Sequence, residues 1–133
     1  YKIDDYINEL GTTISEELLK VHKSYLNLIT ELKKIKHVQG FSHITGGGII
    51  GNTKRIVPKG LGLDVTWDSW ERPSIYSLIQ DIGNVPEEDM RATFNLGIGL
   101  IAIVDKSVVN KVLETAEKLG EPGYEIGRVK KNQ

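Results

Sequence analysis

The stretch Gly40-Phe41-Ser42-His43-Ile44-Thr45-Gly46-Gly47-Gly48-Ile49-Ile50-Gly51-Asn52 restricts the fold more than any other part of the sequence. It passes from a β-patterned run to an apolar helical one through three consecutive glycines. Val38 to Thr45 alternates like a strand, with Phe41, His43 and Thr45 on one face and Ser42 and Ile44 on the other. A short helix from about Gly48 to Arg55 follows, and Pro58-Lys59-Gly60 turns the chain. Gly46, Gly48 and Gly51 fit G-x-G-x-x-G, with Asp64 18 residues past the first glycine. A dinucleotide fold, however, needs a crossover helix of about ten residues there, and its ribose acid follows the end of a strand. Here Pro58 and Gly60 stop the helix, and Asp64 falls inside a strand. Gly46 and Gly51 also carry the spacing of a phosphate-binding loop, but Asn52 stands where that loop requires Lys. Two readings remain open. Successive glycine amides at a helix start can hold an anion, or the glycines form a tight strand-to-helix turn with no ligand.

The rest of the chain alternates element types. Residues 2–10 read as a short helix ending near Gly11, and Thr13 with Glu16 forms a capping box for a turn carrying Leu18, Leu19 and Val21. Tyr25, Leu28, Ile29, Leu32 and Ile35 form an amphipathic stripe, with Lys33, Lys34 and Lys36 at the cation-favouring end. Leu61 to Trp67 is a second strand. Pro73 starts a helix with Ile75, Leu78, Ile79 and Ile82 inward, ending at Gly83, and Pro86-Glu87-Glu88-Asp89 opens another. Gly97 to Val104 is a third strand. Asp105 or Ser107 caps a helix carrying Val108, Val112, Ala116 and Leu119 up to Gly120, and Tyr124 to Val129 is the last strand. The expected architecture is an α+β layered sandwich, a four-stranded mixed sheet covered by helices.

Composition narrows the function. The 133 residues fit one domain, 1–133. Lys and Arg number 17 against 18 Asp and Glu, so the net charge of -1 provides no field for nucleic acid or an acidic membrane. The absence of cysteine removes disulfides and thiolate chemistry and suits a reducing cytoplasm. The longest apolar run, Ile98 to Val104, falls far short of the roughly 20 residues that span a bilayer. An opening at Tyr1 without initiator Met or signal pattern leads us to expect a piece of a longer polypeptide.

His43 and Thr45 place an imidazole and a hydroxyl toward the glycine end of their strand, and the histidine is either structural or functional. Asn52 and Arg55 lie one turn apart on the next helix and either reach back toward a ligand or stay solvated. In Thr93-Phe94-Asn95-Leu96-Gly97-Ile98-Gly99, alternate glycines on one strand face imply a close approach by a ligand or a crossing helix. Trp67 and Trp70 read as core or domain-interface residues.

The first glycine stretch, Arg55-Ile56-Val57-Pro58-Lys59-Gly60-Leu61-Gly62, Ile79-Gln80-Asp81-Ile82-Gly83-Asn84-Val85-Pro86-Glu87-Glu88-Asp89-Met90 and Thr93 to Gly99 resemble, in collinear order, the carboxy-terminal half of the aminoimidazole ribonucleotide synthetase family, also called phosphoribosylformylglycinamidine cyclo-ligases. Where that family has a Pro-Thr pair before the long helix, this chain has Val21-His22, so a ligand role of that pair does not carry over. The resemblance implies ATP-dependent closure of the imidazole ring of formylglycinamidine ribonucleotide in purine biosynthesis. It places ATP and Mg²⁺ mainly on an amino-terminal domain that this sequence lacks, with no cofactor or metal on this stretch, and implies a cytoplasmic homodimer. His43 would be catalytic. Thr45, Gly46, Gly47, Gly48, Asn52, Arg55, Asn95 and Gly97 would line the substrate side of an interdomain cleft. Enzymes of the same two-domain plan, namely formylglycinamidine ribonucleotide synthetase, selenophosphate synthetase and thiamine monophosphate kinase, and a stand-alone phospho-ligand-binding module are the alternatives.

Overall fold

Every strand pairing in this chain is antiparallel and two-stranded in the computed structural model, which describes residues 1–132. A minimal hairpin joins β1 (Tyr6–Ile7) to β2 (Thr12–Thr13). Next come α1 (Ile14–Leu18), α2 (Leu26–Leu32), β3 (Val38–His43), α3 (Gly48–Thr53), β4 (Leu61–Val65), α4 (Ser74–Gly83), α5 (Glu87–Thr93), β5 (Leu100–Val104), α6 (Val109–Lys118) and β6 (Gly127–Lys131). Strand β3 runs against β5, from Val38 opposite Val104 to His43 opposite Leu100, with an irregularity between Val38 and Gly40. Strand β4 runs against β6, from Leu61 opposite Lys131 to Val65 opposite Gly127.

The α+β class holds, but the four long strands form two separate ladders and not one mixed sheet. Side chains, not a shared ladder, join them. Ile44, Ile49, Trp70 and Ile98 make the buried cluster, and Val65 and Trp67 from one side, Ile101 from β5 and Ile126 before β6 pack against it. Between the ladders runs a groove of about 650 Å³ lined by residues including Leu63, Val65, Ile101, Ile103, Val112 and Val129. All five residues of β5 are consequently only half-buried.

The first residues also depart from expectation. Residues 2–10 form a turn and hairpin because polar groups compete for the backbone there. Asp5 accepts the Lys2 amide at 2.8 Å, and Gly11 at φ 66° completes a turn whose amides bond to Ile7 and Asn8. The Thr13–Glu16 capping box is present, with the Glu16 amide donating to Thr13 Oγ1 at 3.2 Å and the Thr13 amide to Glu16 Oε2 at 3.1 Å. The third strand begins at Leu100, later than Gly97, because Leu96 and Gly97 both adopt positive φ and the Ile98 amide bonds back to the Asn95 carbonyl. Asp105 caps the turn before α6 through the Ser107 amide at 2.8 Å.

Helix α5 carries the region's main polar network. Glu87 receives both terminal nitrogens of Arg72, at 3.0 and 2.7 Å, together with Arg91 Nε at 2.6 Å and Gln80 Nε2 at 3.1 Å. The Arg91 guanidinium lies 4.4 Å from the centre of the Trp67 ring. Met90, on the same helix, is wholly buried. Hydrogen bonds from Arg72, aided by those of Arg91 and Gln80, hold the Glu87 carboxyl down to about 2. A depressed carboxyl stabilises the fold above its unfolded value near 4.5, and that stabilisation disappears as pH falls toward 2. Acid titration followed by circular dichroism should therefore show stability falling between about pH 4.5 and 2 in the wild type. Glu87→Gln should start less stable at pH 7 and show a shallower fall over that window.

Candidate functional site

Strand β3 delivers its alternation as read. Ser42 and Ile44 are buried, while His43 and Thr45 are exposed two residues apart on the opposite face. The chain then turns through Gly46 and Gly47 into α3. Gly47 sits at φ 99° and ψ 0°, Gly48 at φ 65°, so both occupy the left-handed region where side chains are strained. Gly48 has a second constraint. A β-carbon there would overlap the carbonyl oxygen of Arg91 on α5 and crowd that of Phe94. The glycine thus allows α3 to lie directly on the backbone of α5.

Asn52 determines which way the loop's dipoles face. Its side chain is 3% exposed, and Nδ2 donates to the carbonyls of Thr45 at 3.2 Å, Gly46 at 3.3 Å and Gly48 at 2.8 Å. A trans peptide points its N–H opposite its C=O, so drawing the Thr45 and Gly46 carbonyls inward turns the Gly46 and Gly47 amides outward. Neither amide meets an acceptor among the described residues. Both residues are exposed, and a β-carbon at Gly46 would meet nothing within 4 Å. The Gly48 amide, by contrast, is used internally on the Thr45 carbonyl at 3.3 Å.

The remaining expected residues divide. Arg55 lies past the far end of α3, exposed, and its side chain makes no hydrogen bond or ion pair among the described residues. The structure does not bring it to the glycine loop. Asn95 is half-buried, and its Oδ1 accepts the Tyr76 hydroxyl at 2.6 Å and the Gly97 amide at 3.0 Å. Burial pushes the Tyr76 phenol up, which keeps that donor protonated. The close approach expected at the alternate glycines is intramolecular. Gly97 faces the Pro73 ring, and Gly99 faces the hydroxyl end of Tyr25. Trp70 is core, its Nε1 donating to the Leu96 carbonyl at 2.9 Å, and Trp67 is half-buried 5.9 Å from it.

Two aromatic neighbours of His43 carry no local sequence signal that would join them to it. The rings of His22 and Tyr25 stand 5.5 and 6.2 Å from it, both edge to face. They lie some 20 residues away with no periodic link to β3, and the only signal was that His22 departs from the pattern of the resembled family. Among the described residues no three His, Asp or Glu side chains gather as a metal site, and no helix is long and apolar enough to cross a membrane.

A family model described as AIR synthase related protein, C-terminal domain, matches residues 3–133. The chain is 44% identical over 128 residues to the phosphoribosylformylglycinamidine cyclo-ligase of Acetivibrio thermocellus, covering 96% of this chain and 38% of that protein. It is 42% identical over 129 residues to the protein of that name from Thermoanaerobacter sp. strain X514, covering 97% and 38%. The match in Geobacillus sp. strain WCH70 is 39% over 131 residues, covering 98% and 38%. The chain thus spans little more than a third of the length of these relatives.

Because Asn52 alone bonds three loop carbonyls, Asn52→Asp should cost the fold about 2–3 kcal/mol, since a carboxylate cannot donate and would face those oxygens. Chemical denaturation should show Asn52→Asp at least as destabilised as Asn52→Ala.

Proposed function

Because this chain belongs to the AIR synthase related protein, C-terminal domain family, we propose that it is the substrate-side domain of a phosphoribosylformylglycinamidine cyclo-ligase. The observation that carries the reading is identity near 40% across almost the whole chain with relatives of that one name. In the proposed reaction the γ-phosphoryl group of ATP passes to the formamide oxygen of formylglycinamidine ribonucleotide. A nitrogen of the same substrate then attacks the activated carbon, phosphate leaves with that oxygen, and the nitrogen loses a proton. ADP, phosphate and the closed imidazole result.

Within that scheme the residues take distinct parts. The outward amides of Gly46 and Gly47 are suited to the ribose 5'-phosphate, and Asn52 orients them. His43 and Thr45 face the amidine or the activated oxygen, with His43 available to move the proton. Gly48 brings the loop onto α5, and Asn95 with Gly97 forms the opposing wall through backbone shape. Mg²⁺ and ATP are assigned to an amino-terminal domain of the longer enzyme, as the family resemblance implies. The exposed Leu18, Leu19 and Leu26 provide apolar surface for that domain or for a second copy in a homodimer. A cytoplasmic setting follows from the same reading.

Gly47 tests the assignment. Its φ of 99° tolerates Asn and Asp better than other side chains, so Gly47→Asn serves as the uncharged control. In the full cyclo-ligase, Gly47→Asp should raise the KM for formylglycinamidine ribonucleotide about ten- to a hundredfold over Gly47→Asn, with little change in the KM for ATP. Equal behaviour of the two variants, with matching melting temperatures, would remove the phosphate from this loop.

A further inference from the structure

We infer that His22 is a positioning residue that holds the imidazole of His43 in its working orientation. The inference rests on the proposed function in one respect, that His43 faces the substrate. The geometry behind it is independent of that reading.

His43 stands exposed on the last residue of β3, and its ring makes no hydrogen bond among the described residues. Its own strand therefore leaves the terminal ring torsion, which is broad for histidine, unconstrained. What packs on it comes from the extended segment between α1 and α2. The His22 ring stands perpendicular to it, at 88° and 5.5 Å, and the Tyr25 ring lies at 63° and 6.2 Å. Such edge-to-face arrangements favour one ring orientation over its neighbours.

A positioning group must itself be held: one local bond fixes the His22 ring, and two contacts tie its segment to the rest of the fold. His22 Nδ1 lies 2.9 Å from the Lys23 carbonyl. A carbonyl only accepts, so the proton of neutral His22 resides on Nδ1, and Nε2 carries the lone pair. Lys23 is ion-paired with Glu121 in the loop after α6. Tyr25 rests its hydroxyl end over Gly99, where any side chain would collide with it. The segment is therefore anchored to the β5 side of the site through Tyr25 and to the loop after α6 through Lys23, with His22 directly before the Lys23 anchor. Its exposure also means that substitution at His22 does not open the core.

The test uses two readouts. In this chain, nuclear Overhauser contacts between the His22 and His43 ring protons, and a His22 ¹⁵N pattern with the proton on Nδ1, are expected. His22→Ala should abolish the His43 contact with Tyr25 or shift it strongly, while His22→Phe should retain it. In the full cyclo-ligase, His22→Ala should lower kcat about three- to tenfold with an unchanged KM for ATP, and His22→Phe should recover most of the loss. Unaltered His43 resonances in His22→Ala, or failure of Phe to rescue kcat at wild-type melting temperature, would overturn the inference. If instead His43→Ala leaves kcat intact while the ring contacts are as expected, the reading of His43 fails and the packing of the two rings stands.

Discussion

The direct contact of α3 with the backbone of α5 at Gly48 is the constraint on which the site's geometry depends. Only a residue without a β-carbon can sit against the Arg91 carbonyl, and only a residue at ease with φ 65° can begin α3 there. The contact would be of little use if α5 could shift. Glu87 resists that by tying α5 to Arg72 ahead of α4 and to Gln80 on α4. The side chain of Arg91 covers Trp67, while its carbonyl meets Gly48. One residue thereby links the polar network, an aromatic near the core and the glycine loop.

From that support the loop acquires its polarity. Three carbonyls converge on a single buried amide, and the peptide planes they belong to present two N–H groups outward. The arrangement reconciles the two readings of the glycine run. Gly47 and Gly48 are required by backbone conformation and, at Gly48, by packing. Gly46 has neither constraint, with open space where its β-carbon would be. The turn is thus demanded by the fold, and the outward amides are what the turn offers to a ligand in the proposed cyclo-ligase.

The segment from Lys20 to Tyr25 packs against His43. It has no helix or strand of its own, yet its side chains reach His43, Glu121 and the space above Gly99. Gly97 and Gly99, which precede the strand, show why alternate glycines are ambiguous when read alone. The close approach they imply was real, but the approaching groups are Pro73 and Tyr25 of the same chain.

Local order was legible in the residues. The capping box at Thr13 and Glu16, the helices begun after Pro73 and Pro86, the alternation of β3 and the abrupt passage through glycine into α3 follow from sterics and hydrogen bonds between near neighbours, which the residue types carry with them. A hairpin stands at Tyr6 to Thr13 in place of the expected helix because Asp5 and Gly11 favour turns more strongly than the weak apolar spacing favours a helix. Pairing was not legible. Alternation says which face of a strand is buried but not which strand lies beside it, and that is decided by burial and chain closure over tens of residues. The same limit hid the inward turn of Asn52 and the meeting of His22 with His43. Sequence by itself determined that a strand must enter a short helix through bare backbone. Tertiary packing decided which amides face outward and which rings stand beside them, because those directions depend on partners that no local pattern names.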